Sequence, residues 1–132
     1  MIRLDLKTTK EAELVNITGK ISKAVKAEGF RDGAVLVFCP HTTAGITINE
    51  NADPDVPVDI LMKTGKLVER DDPDFRHMEG NSDGHVKSSL FGASETIIVE
   101  DGSLVLGTWQ AIFFAEFDGP RTRKVFLKFI SC

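Results

Sequence analysis

The chain contains three histidines, and each lies in a segment rich in polar residues and glycine. His41 opens a polar run, His77 lies two residues before Glu79, and His85 follows Gly84. Neutral imidazoles are good ligands for zinc and other divalent ions, and three protein ligands leave one coordination position open. The pattern therefore predicts a metal site formed by His41, His77 and His85, with zinc, nickel, manganese or magnesium as the candidate ions. Because no HExxH-type spacing is present, three ordinary hydrogen-bonded histidines remain the alternative.

A cationic segment, Asp118–Lys124, suggests a second kind of chemistry. Its arginines are suited to bidentate binding of phosphate oxygens. A helix predicted around His85 would add N-terminal N–H groups, with Lys87 nearby. The competing interpretation is a solvated turn in which the arginines pair with Asp118 or Glu116.

Two further patterns could indicate a catalytic nucleophile, but each is weaker evidence than the histidine and arginine patterns. Cys39 ends an apolar run, which favours a buried and unreactive thiol over a Cys–His nucleophile. Ser88 and Ser89 lie near His85, but the nucleophile-elbow pattern is absent.

The chain also carries clear periodic signals for the elements around these residues. Alternation predicts a half-buried strand at 2–7, and a continuous apolar run predicts a central strand at 34–39 that is covered on both faces. Further strands are predicted at 41–50, 96–100, 103–106, 108–117 and 124–130. Helical periodicity or capping predicts helices at 15–28 and 55–66 and a third that is capped by Ser82 or Asp83 and runs to Phe91. In the strand at 41–50, His41, Thr43 and Asn49 should share one polar face. The element order predicts a single α+β domain over 1–132, with a large mixed or antiparallel curled sheet covered by two to three helices.

The long strand at 108–117 has two different faces. One is wholly apolar and was expected to form core, while the other carries Gln110 and Glu116 among apolar residues. A mixed face of this kind predicts a subunit contact or a site wall.

Composition narrows the functional classes. The chain has 132 residues and a net charge of −4, which disfavours general nucleic-acid binding. No apolar run approaches the roughly 20 residues of a membrane span, and no signal-peptide pattern begins the chain. With two cysteines and no CxxC spacing, a reducing cytoplasm is the expected compartment.

Four motifs, in order, resemble the YjbQ-like family, also called the secondary thiamine-phosphate synthase family. They are His41–Asn51, Glu79–Lys87, Leu106–Gln110 and Glu116–Arg121. The resemblance extends over nearly the whole chain. It implies an α+β fold, a homotrimer, and a pocket near the subunit interfaces that takes a small phosphorylated or anionic metabolite. It also implies a side activity that joins a hydroxymethylpyrimidine diphosphate to a thiazole phosphate, giving thiamine phosphate and pyrophosphate.

Roles follow at the matching positions. The catalytic candidates are His41, His85 and Glu79, and the substrate-binding candidates are Thr43, Asn49, Asn81, Lys87, Gln110 and Arg121. Because displacement of pyrophosphate does not obviously require three imidazoles, two alternatives stay open. One is a metal-dependent hydrolase or lyase with a three-histidine site, and the other is a non-catalytic trimeric binder of a small anion.

Overall fold

The computed structural model describes residues 1–131. Eight strands and three helices follow one another along the chain. They are β1 (Ile2–Lys7), β2 (Glu13–Asn16), α1 (Thr18–Ala27), β3 (Gly33–Phe38), β4 (Ala44–Glu50), α2 (Asp55–Leu67), α3 (Ser82–Phe91), β5 (Ser94–Glu100), β6 (Ser103–Leu104), β7 (Gln110–Glu116) and β8 (Thr122–Ser131). None of the helices in residues 1–131 is long and apolar enough to cross a membrane.

The strands form two sheets. The larger has the order β1-β8-β3-β5-β6 and the smaller has the order β2-β7-β4. Each strand pair recorded for residues 1–131 is antiparallel. This confirms the predicted α+β class with a curled antiparallel sheet, and it adds a second sheet that the sequence did not predict.

The main core lies between the two sheets and is closed by α1. Its members alternate along their strands, as expected for one buried face: Leu6, Val35, Val37, Ile97, Val99, Val125 and Leu127 from the large sheet, and Ala44, Ile46, Ile112 and Phe114 from the small one. Helix α1 contributes Ile21, Ala24 and Val25. The other face of the small sheet packs under α3, where the rings of Phe91 and Phe117 meet at 4.8 Å.

Of the two alternatives predicted for the mixed face of the long strand, the subunit contact is wrong. Ile112, Phe114 and Glu116 belong to the mixed face, and all three are fully buried inside the subunit. The predicted subunit contact on that face is therefore excluded, apart from its exposed end at Gln110. The reason is that the strand lies between two layers, so both of its faces are covered.

Two boundaries also differ from the sequence prediction. The helix expected from Val15 begins only at Thr18, because Val15 belongs to β2 and pairs with Phe114 of β7. The strand expected from His41 begins at Ala44. His41 and Thr43 therefore lie in the loop before β4 and not on one face of a strand.

Candidate functional site

One polar cavity of about 440 Å³ collects side chains from three separate parts of the chain. The loop before β4 contributes Pro40, His41, Thr42 and Thr43; the start of α3 and the loop before it contribute His77, Glu79, Asn81 and His85; and the turn between β7 and β8 contributes Asp118, Arg121 and Arg123. All three histidines reach this cavity, as does Arg121.

The floor of the cavity is a buried ion network, formed by Glu116, Arg123, Thr8 and Thr43. The Glu116 carboxylate accepts hydrogen bonds from Thr8 Oγ1 at 2.7 Å, from Arg123 Nε at 2.8 Å and from the backbone N–H of Asp118 at 3.0 Å. Arg123 Nη2 also donates to Glu116 Oε2, and it donates to Thr43 Oγ1 at 2.9 Å. A buried charge pair of this kind persists because its hydrogen bonds compensate for the loss of water.

Electrostatics keep this network ionised. Burial by itself raises the pKa of Glu116, but the hydrogen bonds from Arg123, Thr8 and the Asp118 N–H outweigh burial and lower the pKa below its usual range. Arg123 therefore places a fixed positive charge at the cavity wall, balanced from below by Glu116.

The turn that carries Arg121 is held by close backbone contacts. A Cβ atom at Gly119 would lie 2.2 Å from the Lys10 carbonyl oxygen, so only glycine fits there. Thr8 fixes the far side, since its Oγ1 accepts a hydrogen bond from the Arg121 backbone N–H at 2.9 Å.

The Arg121 side chain is half exposed, and two of its nitrogen atoms already donate hydrogen bonds within the protein. Its Nε donates to the Asp118 carbonyl at 2.7 Å and its Nη2 to the Asp118 carboxylate at 2.9 Å. Burial raises the pKa of Asp118, but the hydrogen bonds from Asn81 and Arg121, together with the charges of Arg121 and Arg70, lower it overall. Within residues 1–131, Nη1 of Arg121 has no such bond, and this leaves an oriented donor for a ligand.

His41 has a defined protonation state. The Lys124 backbone N–H donates to His41 Nε2 at 2.9 Å, so a neutral ring carries its proton on Nδ1. Burial, followed by the charge of Arg123, lowers the pKa of His41. At neutral pH, His41 is therefore an uncharged imidazole that can donate from Nδ1.

His77 and His85 form a pair at the rim, with ring centroids 5.3 Å apart. His77 Nδ1 lies 3.2 Å from Ser82 Oγ, and its Nε2 lies 3.5 Å from the Glu79 carboxylate. His85 lies in the first half of α3, which begins at Ser82 beside the cavity. Because the N-terminal end of a helix carries partial positive charge, it adds to the attraction for an anion.

The residues do not fit a three-histidine metal centre in this arrangement. Nε2 of His41 already accepts the Lys124 N–H, and His77 is bonded to Ser82 and close to Glu79. Among residues 1–131, no group of three or more His, Cys, Asp or Glu side chains is placed to hold a metal ion. The metal site remains a prediction from the sequence.

Three of the predicted binding residues do not line the cavity. Lys87 is buried, and its Nζ lies 3.0 Å from Asp83 in an i,i+4 pair. Asn49 and Gln110 are exposed near the far end of β4 and β7, where Asn49 is paired with Ala111 and Gln110 with Glu50. The cavity lies at the opposite end of the same strands.

Arg123, Asp118 and Glu116 belong to the site although the motifs assign them no role; only the general charge of segment 116–124 pointed to them. Many charged residues lie close together in 116–124, but such a cluster is equally typical of a solvated turn. Cys39 is buried as predicted, and burial raises the pKa of its thiol, so it is not an activated nucleophile.

Comparisons of the sequence and of the structure with known proteins indicate the same family. The family described as "UPF0047 protein YjbQ-like" matches residues 2–132. A UPF0047 protein from Bacillus subtilis is 53% identical over 125 residues, which cover 95% of this chain and 95% of that protein. One from Methanocaldococcus jannaschii is 52% identical over 130 residues, which cover 98% of this chain and 94% of that protein.

A crystal structure gives the same result for the fold. An uncharacterised YjbQ/UPF0047 protein from Clostridium acetobutylicum superposes with a TM-score of 0.96 at 55% identity, covering 98% of this chain and 100% of that one. At this similarity the two chains share their architecture throughout.

Proposed function

This chain belongs to the YjbQ-like (UPF0047) family, and we propose that its polar cavity binds a small phosphorylated metabolite and catalyses a reaction on it. The observation that carries the proposal is the convergence of three imidazoles and two arginines on one cavity. A volume of about 440 Å³ is suited to a small metabolite.

The phosphate group would bind at the arginine side of the cavity. Arg121 offers its remaining guanidinium donor, and Arg123 supplies a fixed charge from the floor. A charge-assisted hydrogen bond in such a setting contributes roughly 1.5–3 kcal/mol. Binding would cost little reorganisation, because Asp118 and Glu116 already hold both guanidinium groups.

The imidazoles would handle protons beside this anion site. His41 is neutral and donates from Nδ1, so it can hydrogen-bond a leaving or attacking oxygen without adding charge. The Glu79 carboxylate lies 3.5 Å from His77 Nε2 and can orient that ring. The His85 ring lies at the same rim, with its centroid 5.3 Å from that of His77. These positions suit general acid–base assistance by His41, His85 and Glu79.

The specific reaction we propose to test first is thiamine-phosphate formation, which the family resemblance implies. In it the methylene–oxygen bond of the pyrimidine diphosphate breaks, and pyrophosphate leaves with the electron pair. A new bond forms between that carbon and the thiazole nitrogen. The main requirement of this reaction is stabilisation of the negative charge on the leaving diphosphate, and no covalent intermediate with the protein is needed. Two arginine side chains are suited to that task.

The experiment is a coupled assay of the purified protein with both substrates and magnesium, detecting thiamine phosphate and pyrophosphate. We expect turnover that His85→Gln and Glu79→Gln each lower at least tenfold, while an exposed variant far from the cavity, Lys63→Gln, leaves it unchanged. Phosphate binding without turnover on this or other phosphorylated substrates would favour the non-catalytic binder. Stoichiometric zinc, nickel or manganese in untagged protein would favour the metal-dependent hydrolase.

A homotrimer in a reducing cytoplasm is part of the same proposal. Light scattering at micromolar concentration tests the assembly, and a monomer there would contradict it. The contact cannot use the mixed face of β7, since Ile112, Phe114 and Glu116 are covered within the subunit.

A further inference from the structure

A second compartment adjoins the polar cavity across a wall of shared residues. It has a volume of about 520 Å³, and His41, Thr42 and His85 line both spaces. The two imidazoles therefore stand at a junction and not at the end of a single pocket.

The chemistry of the second compartment differs from that of the first. Beyond the shared wall it is lined by two serines of α3 and by Ala44, Gly92 and Ala93. Its lining among the described residues includes no lysine, arginine, aspartate or glutamate, whereas the polar cavity has four such residues.

The serine hydroxyl protons are already used within the fold. Ser88 Oγ donates to the Thr42 carbonyl at 2.6 Å, and Ser89 Oγ donates to the His85 carbonyl at 2.9 Å. These bonds leave a surface of small side chains and weak acceptors, which suits an uncharged group better than an anion.

The far wall is rigid. The Cys39 backbone N–H donates to the Ala93 carbonyl at 2.8 Å, and the Ile46 N–H donates to the Gly92 carbonyl at 3.1 Å. A Cβ atom at Gly45 would lie 2.6 Å from the Gly92 oxygen, so this close approach of two chain segments requires glycine. The compartment therefore keeps its shape without a ligand.

From this division we infer that the site takes a bipartite ligand: the anionic group occupies the polar cavity, and an uncharged organic body occupies the second compartment. The bond between the two parts then lies at His41 and His85. The inference rests on the proposed function, because it uses the polar cavity as the anion subsite, and it adds the class of the group attached to that anion.

Ser89 and Ala93 control the size of the second compartment. Both are exposed and line it without lining the polar cavity. Leucine at position 89 is tolerated by a helix and fills the space with a larger side chain. Ala93→Leu offers the same test from a second lining residue, in case Ser89→Leu does not fold.

The test measures binding of inorganic phosphate and of benzyl phosphate by calorimetry to the wild type, Ser89→Leu, Ala93→Leu and the control Thr96→Leu. Thr96 is exposed on β5 and lines neither space. We expect benzyl phosphate to bind the wild type about tenfold more tightly than phosphate, because the ring buries apolar surface. Ser89→Leu and Ala93→Leu should remove that gain and leave phosphate affinity unchanged, and Thr96→Leu should change neither.

Two results would overturn the second compartment while sparing the proposed function. One is phosphate binding with no gain for benzyl phosphate; the other is a gain that survives both leucine variants. Equal weakening of both ligands by the leucine variants would show that the two spaces are not separate subsites, which also overturns the inference. Failure of both ligands to bind the wild type would remove the proposed anion site itself, and this inference with it.

Discussion

The floor and the rim of the polar cavity each pair a carboxylate with a nitrogen-bearing side chain, but the two pairs differ greatly in burial. At the floor, Glu116 and Arg123 are fully or almost fully buried, and the carboxylate accepts four hydrogen bonds from within the protein. At the rim, the side chains of His77 and Glu79 are 43% and 75% exposed, and His77 Nε2 lies 3.5 Å from Glu79 Oε1.

This difference separates stability from function. A buried ion pair whose partners satisfy each other cannot lose one member without leaving an uncompensated charge. An exposed pair contributes little to folding, because water replaces either partner. The floor should therefore govern the free energy of unfolding in addition to supplying the charge of Arg123, whereas the rim should affect the ligand and contribute little to stability.

The largest expected effect is on the floor. Arg123→Met keeps the bulk of the side chain and leaves Glu116 buried without its guanidinium, so we expect a loss of about 3–5 kcal/mol in the free energy of unfolding. Urea denaturation measures it. Lys128→Met on the same strand removes an exposed charge and should change stability by less than about 0.5 kcal/mol. A loss of under about 1 kcal/mol for Arg123→Met would show that the floor is not stabilised as an ion network.

Acid should lower the stability of the fold in two stages, the first from His41 and the second from Glu116 of the floor. The pKa of His41 is lowered in the fold, so the unfolded chain binds a proton first, and stability begins to fall below pH 6.5. The pKa of Glu116 is also lowered, so its contribution is complete above its ordinary value of 4.5 and is lost as the pH falls further. Melting temperatures measured across this range should therefore show a shallow decline and then a steeper one. In His41→Gln the shallow stage should disappear while the steeper stage stays, and an unchanged profile would contradict the assignment.

Arg121 tests the boundary between the two regions. Arg121→Lys keeps the charge and loses the planar guanidinium, so phosphate binding should weaken about tenfold or more while the melting temperature stays nearly unchanged. The side chain is 52% exposed, and its pair with Asp118 should contribute only about 0–1 kcal/mol to stability. Arg31→Lys is the matched control at another exposed ion pair. A loss of stability without a loss of binding would mean that Arg121 serves only to tie the turn to Asp118.

The smallest change in stability is expected at the rim. His77→Gln should alter the free energy of unfolding by no more than about 0.5 kcal/mol, because the side chain is largely exposed and its contacts to Ser82, Glu79 and the His85 ring lie at the surface. Turnover of the phosphorylated substrate should fall nonetheless. Denaturation and activity measured on the same preparation decide this, and unchanged activity would remove His77 from the site.

The sequence by itself determined much of this protein. Alternation at 2–7 predicted the inward residues of β1, such as Leu6. A cap at Ser82 or Asp83 predicted a helix ending at Phe91, and α3 spans Ser82–Phe91. The apolar run at 34–39 predicted a strand covered on both faces, which is wrong for its end, because Phe38 is 41% exposed. The positions of the three histidines beside polar residues and glycine indicated one common site, and all three line the polar cavity. These features are local, so a period or a capping residue is enough to reveal them.

Only the tertiary structure decided which charges are used for folding and which are left for a ligand. Lys87 and Arg121 are both cations near the motifs, yet Lys87 is buried against Asp83 while Arg121 reaches the cavity. Likewise, the mixed face of β7 is buried because the large sheet covers it. Both outcomes depend on partners far away in the chain, such as Thr8, which is 108 residues from Glu116, and no local pattern encodes that distance.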